Sequence, residues 1–70
     1  MESEARRERV TRNDLREMEL GSERTFALTK VRAIYNAAQT ALQTGRLEHC
    51  RYSCRYNFED VSITIKKTML

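Results

Sequence analysis

The side chains best suited to chemistry lie in one short segment, His49-Cys50-Arg51-Tyr52-Ser53-Cys54-Arg55-Tyr56, which contains the only histidine and both cysteines. A thiol beside an imidazole can serve as a nucleophile, and the same residue types bind metal ions. Along an extended strand, however, side chains alternate between two faces, so His49 would point away from Cys50 and Cys54. We therefore expect no catalytic residues, no cofactor and no metal site, because these three residues offer too few ligands for closed zinc coordination.

The two cysteines are also too far apart for a disulfide bond if they share a strand. The Cα atoms of Cys50 and Cys54 would lie roughly 13 Å apart, at about 3.3 Å per residue, whereas a disulfide needs about 7 Å or less. Two free thiols suit a reducing compartment, and no apolar run approaches the ~20 residues of a membrane span. We expect a cytoplasmic protein that does not enter a membrane.

The same alternation places the basic and hydroxyl side chains of this segment on one outer face, together with those of Val61-Ser62-Ile63-Thr64-Ile65-Lys66. Such a face can contact phosphates through cations and hydroxyls alike. No glycine-rich phosphate loop accompanies it, because the chain has only two glycines. The sequence predicts a nucleic-acid-binding surface made of Arg51, Arg55, Lys66, Ser53, Thr64 and His49, with Ser62 beside them.

The two alternating segments predict a hairpin with an apolar inner face. A loop over residues 57–60 would pair the inner residues as Tyr56–Val61, Cys54–Ile63 and Tyr52–Ile65. On the outer face, Arg51 would then oppose Lys66, a like-charge pair that an anion could bridge. Because both tyrosines are assigned to the inner face, stacking on single-stranded bases is not expected, and duplex recognition is favoured.

An alanine-rich segment in the middle of the chain predicts the main helix. Thr29 is a suitable N-cap, and Gly45 is a suitable residue just beyond the helix end. Apolar residues recur between them at three- and four-residue spacing and form one stripe: Val31, Ile34, Tyr35, Ala38, Ala41 and Leu42. Before this helix, residues 25–28 predict a short strand, and residues 13–21 predict one or two helical turns capped by Asn13.

These elements predict the α+β class: a single β-α-β-β domain over residues 13–70, with one helix packed on a three-stranded antiparallel sheet. We expect the order first, third, second strand, which makes every pairing antiparallel. Residues 1–12, which alternate Glu and Arg, are expected to form a charged flexible arm. Residues 1–24 hold six Arg against seven acids, and residues 25–70 hold seven Lys and Arg against three acids. This excess of positive charge in the folded part favours an anionic partner.

Part of the pattern resembles a known group of short proteins. The residues that carry the resemblance are Leu15-x5-Gly21-x4-Phe26, then Ile34, Ala37, Ala38 and Gly45, and finally Val61-x-Ile63-x-Ile65-Lys66. Over residues 15–67 the chain is similar to small uncharacterised proteins encoded by phages and mobile elements of gut Bacteroidetes, which often have an arginine where this chain has Lys66. The resemblance implies a small accessory or regulatory protein and supplies no catalytic or ligand motif.

The sequence favours a non-enzymatic protein that binds duplex nucleic acid, and it leaves other functions open. The basic residues could merely solvate an exposed sheet, since water-facing strands often carry Arg, Lys, Ser and Thr. The chain could instead be a protein-interaction module that covers a host protein, or a homodimer formed through a free edge strand. The salt dependence of binding distinguishes a nucleic-acid-binding protein from a protein-interaction module, because nucleic-acid binding weakens steeply as the salt concentration rises.

Overall fold

The alternating C-terminal segments and a shorter strand before the main helix form one three-stranded antiparallel sheet. The structure, a computed structural model, describes residues 6–69. Its elements are the helix α1 (Arg12–Arg16), the strand β1 (Glu23–Ala27), the helix α2 (Val31–Glu48), and the strands β2 (Cys50–Asn57) and β3 (Ser62–Met69). The strand order is β1-β3-β2, with both pairings antiparallel. The predicted α+β class and strand order are confirmed.

The core lies between α2 and the inner face of the sheet. Its largest fully buried side chains are Phe26, Leu15, Leu28, Ile34, Ile63 and Ile65. Small residues on α2, such as Ala37 and Ala41, are buried against the sheet and let the helix approach it closely. The predicted apolar stripe is wider than this contact, because Val31, Tyr35 and Leu42 remain largely exposed.

Both ends of α2 differ from the prediction. The N-cap is Lys30, without a side-chain capping bond, and not Thr29. The helix also continues through Gly45 to Glu48, and His49 ends it in the left-handed region at φ 58°. Gly45 is needed for packing, because a Cβ atom there would lie 2.7 Å from the carbonyl oxygen of Cys50.

The hairpin register is two residues away from the prediction. Tyr56 lies opposite Ile63, Cys54 opposite Ile65, and Arg51 opposite Thr68. The strand β2 extends through Asn57, and the turn comprises residues 58–61. The side-chain oxygen of Asn57 accepts a hydrogen bond from the Asp60 N–H at 3.1 Å across this turn. A shift of two residues preserves the faces, so the inner and outer assignments survive while the individual pairs, including Arg51–Lys66, were wrong.

The residues before β1 are held against the domain. Arg7 forms a parallel bridge with Leu28, and Val10 is buried at 3 % exposure. The N-cap of α1 is Thr11, and not Asn13, because Asp14 completes a capping box with it. Residues 6–12 thus differ from the expected flexible arm, while residues 1–5 lie outside the described part of the chain.

Candidate nucleic-acid interface

The side of the sheet opposite α2 carries the predicted binding residues. We call it the outer face; its members are Glu23 and Thr25 of β1, Thr64 and Lys66 of β3, and Arg51, Ser53 and Arg55 of β2. Their registers place Ser53 beside Lys66 and Arg55 beside Thr64. Antiparallel neighbours that lie opposite each other point to the same side of a sheet. Five of the six predicted site residues are therefore brought together on one surface, and His49 is the exception.

The three cations of the outer face are exposed and are not neutralised by ion pairs. Arg51, Arg55 and Lys66 are all exposed, and within residues 6–69 no salt bridge involves any of them. Other arginines are engaged: the ion pairs are Arg6–Asp60 at 3.4 Å, Arg7–Asp14 at 2.7 Å and Arg16–Glu48 at 3.4 Å. The outer face is thus a surface whose positive charge is available to an anion.

Lys66 occupies the centre of this surface. It lies on the middle strand, between Ser53 on one side and Glu23 on the other. Together with Arg55 and Thr64, these residues line a shallow depression of about 140 Å³. Glu23 was not among the predicted site residues, and its carboxylate is the one acidic group among the side chains that line this depression.

The hydroxyl groups contribute unequally to the surface. The Oγ1 atoms of Thr25 and Thr64 lie 2.9 Å apart and hydrogen-bond each other across the strands. Ser53 is exposed and can donate to a ligand. Ser62, expected on the exposed outer face, is only 3 % exposed because its short side chain lies between Ala27 and Asn57 on the flanking strands.

His49 does not belong to the outer face. As the left-handed residue at the end of α2, it precedes β2 and leaves the alternation of the strand. It is exposed and lines a separate cavity of about 220 Å³ with Arg46 and Arg51. The alternation rule failed here because it assumed that the strand begins before residue 50.

An exposed aromatic group on the opposite side of β2 was missed by the sequence reasoning. The ring of Phe58 lies 5.9 Å from those of both Tyr35 and Tyr56, centroid to centroid. Tyr56 has the inner-face orientation but is 47 % exposed. The expectation about stacking concerned the outer face, none of whose members is aromatic; the exposed aromatic group lies on the other side of β2 and was not predicted. The only signal in the sequence was that the apolar stripe, which includes Tyr35 and Leu42, is wider than a small sheet can cover.

These aromatic residues border an open groove between α2 and β2. The groove has a volume of about 490 Å³. We call it the α2–β2 groove; it is lined by Tyr35, Ala38, Gln39, Leu42, Tyr52, Cys54 and Tyr56. The phenol oxygen of Tyr52 donates a hydrogen bond to the carbonyl oxygen of Leu15 at 3.2 Å, and burial raises the pKa of this phenol.

The two thiols do not form a disulfide bond. Cys50 is buried and Cys54 is half-buried, and both are free. Burial raises the pKa of the Cys54 thiol, which lowers the fraction of reactive thiolate near neutral pH. In the part of the chain that the structure describes, no three His, Cys, Asp or Glu side chains are placed to hold a metal ion. No helix among residues 6–69 has the length and apolar character required to cross a membrane.

Comparisons with protein-family models, with curated proteins and with solved structures found no match to this chain. The geometry of the outer face and of the α2–β2 groove therefore provides the basis for a functional proposal.

Proposed function

We propose that this chain is a small non-enzymatic nucleic-acid-binding protein that contacts the phosphates of a duplex through its outer face. The observation that carries the proposal is the combination of three exposed, unpaired cations and several hydroxyl groups on a sheet face that no element of residues 6–69 covers. Lysine, arginine and hydroxyl side chains supply most contacts to nucleic-acid backbones. We propose that the protein has an accessory or regulatory role in a phage or mobile element and acts in a reducing cytoplasm.

The dimensions of the outer face suit a duplex. Arg51 and Arg55 are four residues apart on β2, so their Cα atoms lie roughly 13 Å apart along the strand. The two guanidinium groups can thus contact different phosphates of a duplex backbone.

Charge reversal at the outer face is the direct test. Binding of the purified, reduced protein to labelled duplex DNA and duplex RNA would be followed by fluorescence anisotropy, at about 50 mM and about 200 mM salt. We expect binding that weakens steeply with salt and that is lost in the double variant Arg51→Glu and Arg55→Glu.

The matched control reverses two arginines that lie elsewhere. Arg9 and Arg32 are exposed and are not on the sheet. The variant Arg9→Glu with Arg32→Glu has the same net charge as the outer-face variant, so it should lose much less affinity. Equal losses in both double variants would show that only net charge matters and would refute the outer-face site.

A second candidate function is protein interaction. The observation that favours it is the α2–β2 groove, because four large apolar or aromatic side chains on or beside it are about half exposed: Tyr35, Leu42, Tyr56 and Phe58. Exposed apolar patches on small proteins commonly mark contact sites for other proteins. A protein partner bound there would leave the outer face free and would bind in a manner that depends little on salt.

A further inference from the structure

One edge of the sheet is bridged at one end by the segment around Arg7, and the other edge has no such bridge within residues 6–69. At β1, the backbone of Arg7 receives and donates hydrogen bonds: its N–H bonds to the Ala27 carbonyl at 2.8 Å, and its carbonyl accepts from the Thr29 N–H at 3.1 Å. The strand β2 forms the opposite edge of the sheet. Within residues 6–69, no strand or bridge pairs with the free edge of β2. An uncovered edge strand of eight residues is a template for pairing with another chain.

The hydrogen bonds of β3 identify the backbone groups that β2 leaves free. The Lys67 N–H and carbonyl bond to Ser22 and Gly21 on the β1 side, and the Val61 carbonyl accepts from Leu28 on the same side. Backbone groups alternate in direction along an antiparallel strand, so the even-numbered residues of β3 face β2. Their partners are the odd-numbered residues of β2. The N–H and carbonyl groups of Tyr52, Cys54 and Tyr56 therefore point outward from the edge.

We propose that two copies of this chain pair through β2, antiparallel and about a two-fold axis at Cys54, to form a continuous six-stranded sheet. The strand itself selects this register. An axis through Ser53 would set Arg51 of each copy against Arg55 of the other, and an axis through Arg55 would set the two Arg55 side chains against each other. Like charges directly opposite are unfavourable.

The axis through Cys54 removes these conflicts and uses nearly the whole strand. It sets Arg55 opposite Ser53 of the second copy and Arg51 opposite Asn57. On the inner side it sets Tyr52 opposite Tyr56 of the second copy, so that each α2–β2 groove receives aromatic side chains from the other chain. Tyr56 is 47 % exposed and Leu42 is 54 % exposed in a single chain. The pairing covers these side chains on both copies.

The ends of the two strands are complementary in charge in this register. Beside the start of β2, a cavity of about 220 Å³ is lined by Arg46, His49 and Arg51. In this register Arg51 lies opposite Asn57 of the second copy, the residue that precedes the turn containing Glu59. Glu59 forms no ion pair within residues 6–69. The basic end of each strand thus meets the acidic turn of its partner, and this occurs twice because of the two-fold symmetry.

The dimer is independent of nucleic-acid binding, and it would extend the outer face. Pairing at β2 joins the two outer faces edge to edge, since residues opposite each other across the axis share a side of the sheet. The three outer-face cations of each copy then lie on one continuous surface that carries six cations. A dimer without nucleic-acid affinity would refute the proposed function alone, whereas binding by a strictly monomeric protein would refute the dimer alone.

Mass measurement and cross-linking test the proposal. Light scattering after gel filtration at about 100 µM is expected to give twice the 8.3 kDa mass of the chain. In the variant Cys50→Ala, a short bismaleimide at alkaline pH, where more of the Cys54 thiol is ionised, should link two Cys54 thiols and give a covalent dimer. The matched variant Cys54→Ala retains only the buried Cys50 and should stay unlinked. A monomeric mass, or equal cross-linking in both variants, would overturn the proposal.

Disruption of the edge provides a second, separate readout. Tyr56→Lys adds a charge at the exposed edge and is expected to weaken dimerisation at least tenfold, with an unchanged circular dichroism spectrum. The control Leu20→Lys adds the same charge at a residue that is 56 % exposed and lies outside the α2–β2 groove, and it should dimerise as the wild type does. Equal dimerisation of the two variants would contradict pairing through β2.

Discussion

Glu23 of β1 lies directly opposite Lys66 of β3, at the centre of the outer face. Within residues 6–69 the two side chains form no salt bridge, so the exposed Glu23 carboxylate contributes little to stability, but it repels a phosphate. We therefore predict that Glu23→Gln binds duplex nucleic acid roughly threefold more tightly at low salt and unfolds at nearly the same denaturant concentration. Anisotropy titrations check this, with Glu19→Gln as an exposed control whose side chain is not on the sheet. Weaker binding by Glu23→Gln would contradict the phosphate-contact geometry.

The number of outer-face cations sets the salt dependence of binding. Each neutralised phosphate contributes about −0.9 to the slope of log K against log salt. Three contacts per chain, from Arg51, Arg55 and Lys66, predict a slope of about −3 per bound chain, and Arg51→Gln should reduce its magnitude by about one. Titrations at several salt concentrations measure the slope. A slope that is unchanged in Arg51→Gln would exclude Arg51 from the contact.

The hydrogen bond from Tyr52 to the Leu15 carbonyl couples β2 to α1. Because both residues are buried, Tyr52→Phe leaves a carbonyl oxygen without its donor, and we expect the free energy of unfolding to fall by about 1 kcal/mol. Urea denaturation measures this change. Tyr56→Phe is the control: its hydroxyl belongs to a half-exposed ring, so stability should be unaffected. Equal effects of the two substitutions would show that the Tyr52 bond contributes nothing specific.

Gly45 permits the close approach of α2 to the start of β2. A Cβ atom at this position would lie 2.7 Å from the Cys50 carbonyl oxygen, which is backbone and cannot move freely. Gly45→Ala should therefore destabilise the fold by about 1–3 kcal/mol, although alanine is the better helix former. Thermal or urea unfolding checks this, with Gln43→Ala on the exposed side of α2 as the control. A stabilised Gly45→Ala variant would place the helix farther from β2 than the structure does.

Asp14 makes the stability depend on acid pH. Burial raises the pKa of this carboxyl group, but hydrogen bonds from the Thr11 N–H and hydroxyl and the guanidinium of Arg7 outweigh burial and hold the pKa below its ordinary value. The carboxylate form is therefore favoured in the folded state. Its contribution is fully present above the ordinary pKa of about 4 and is lost as the pH falls through the lower folded value.

The corresponding variant is Asp14→Asn. At neutral pH we expect its free energy of unfolding to be about 1 kcal/mol lower than that of the wild type, which is the usual effect of losing a helix cap. The difference from the wild type should narrow as the pH falls below about 4, and urea denaturation at several pH values measures it. A difference that grows in acid would mean that the pKa of Asp14 is raised.

The faces of the strands could be predicted from the sequence, whereas their register could not. Alternation fixes which side chain points inward, and a two-residue shift leaves that assignment intact. The shift arises in the turn, where Val61 adopts φ 53°, a conformation that a β-branched residue rarely takes. No local pattern signals such a residue, so the loop was placed one residue too early.

The end of α2 and the position of Glu23 could not be predicted from the sequence because both depend on contacts between residues that are distant in the chain. Glycine is common just after the end of a helix, so the sequence predicted that the helix stops before Gly45. The contact of Gly45 with Cys50 is a tertiary contact, which a sequence pattern does not reveal. Glu23 was missed because it lies 43 residues from Lys66 in sequence, and only the pairing of β1 with β3 brings the two together. The basic residues of β2 and β3, by contrast, were predictable because they share one hairpin.

The central claim is that duplex nucleic acid contacts the outer face of the sheet, and amide chemical-shift mapping by NMR tests it most directly. On addition of duplex DNA, we predict that the largest shift changes fall on Arg51, Ser53, Arg55, Thr64 and Lys66, while Tyr35, Ala38 and Leu42 on α2 change little. Shift changes confined to α2 and Tyr56 would contradict the account and assign binding to the α2–β2 groove. An unchanged spectrum at low salt would show that the protein does not bind the duplex at all.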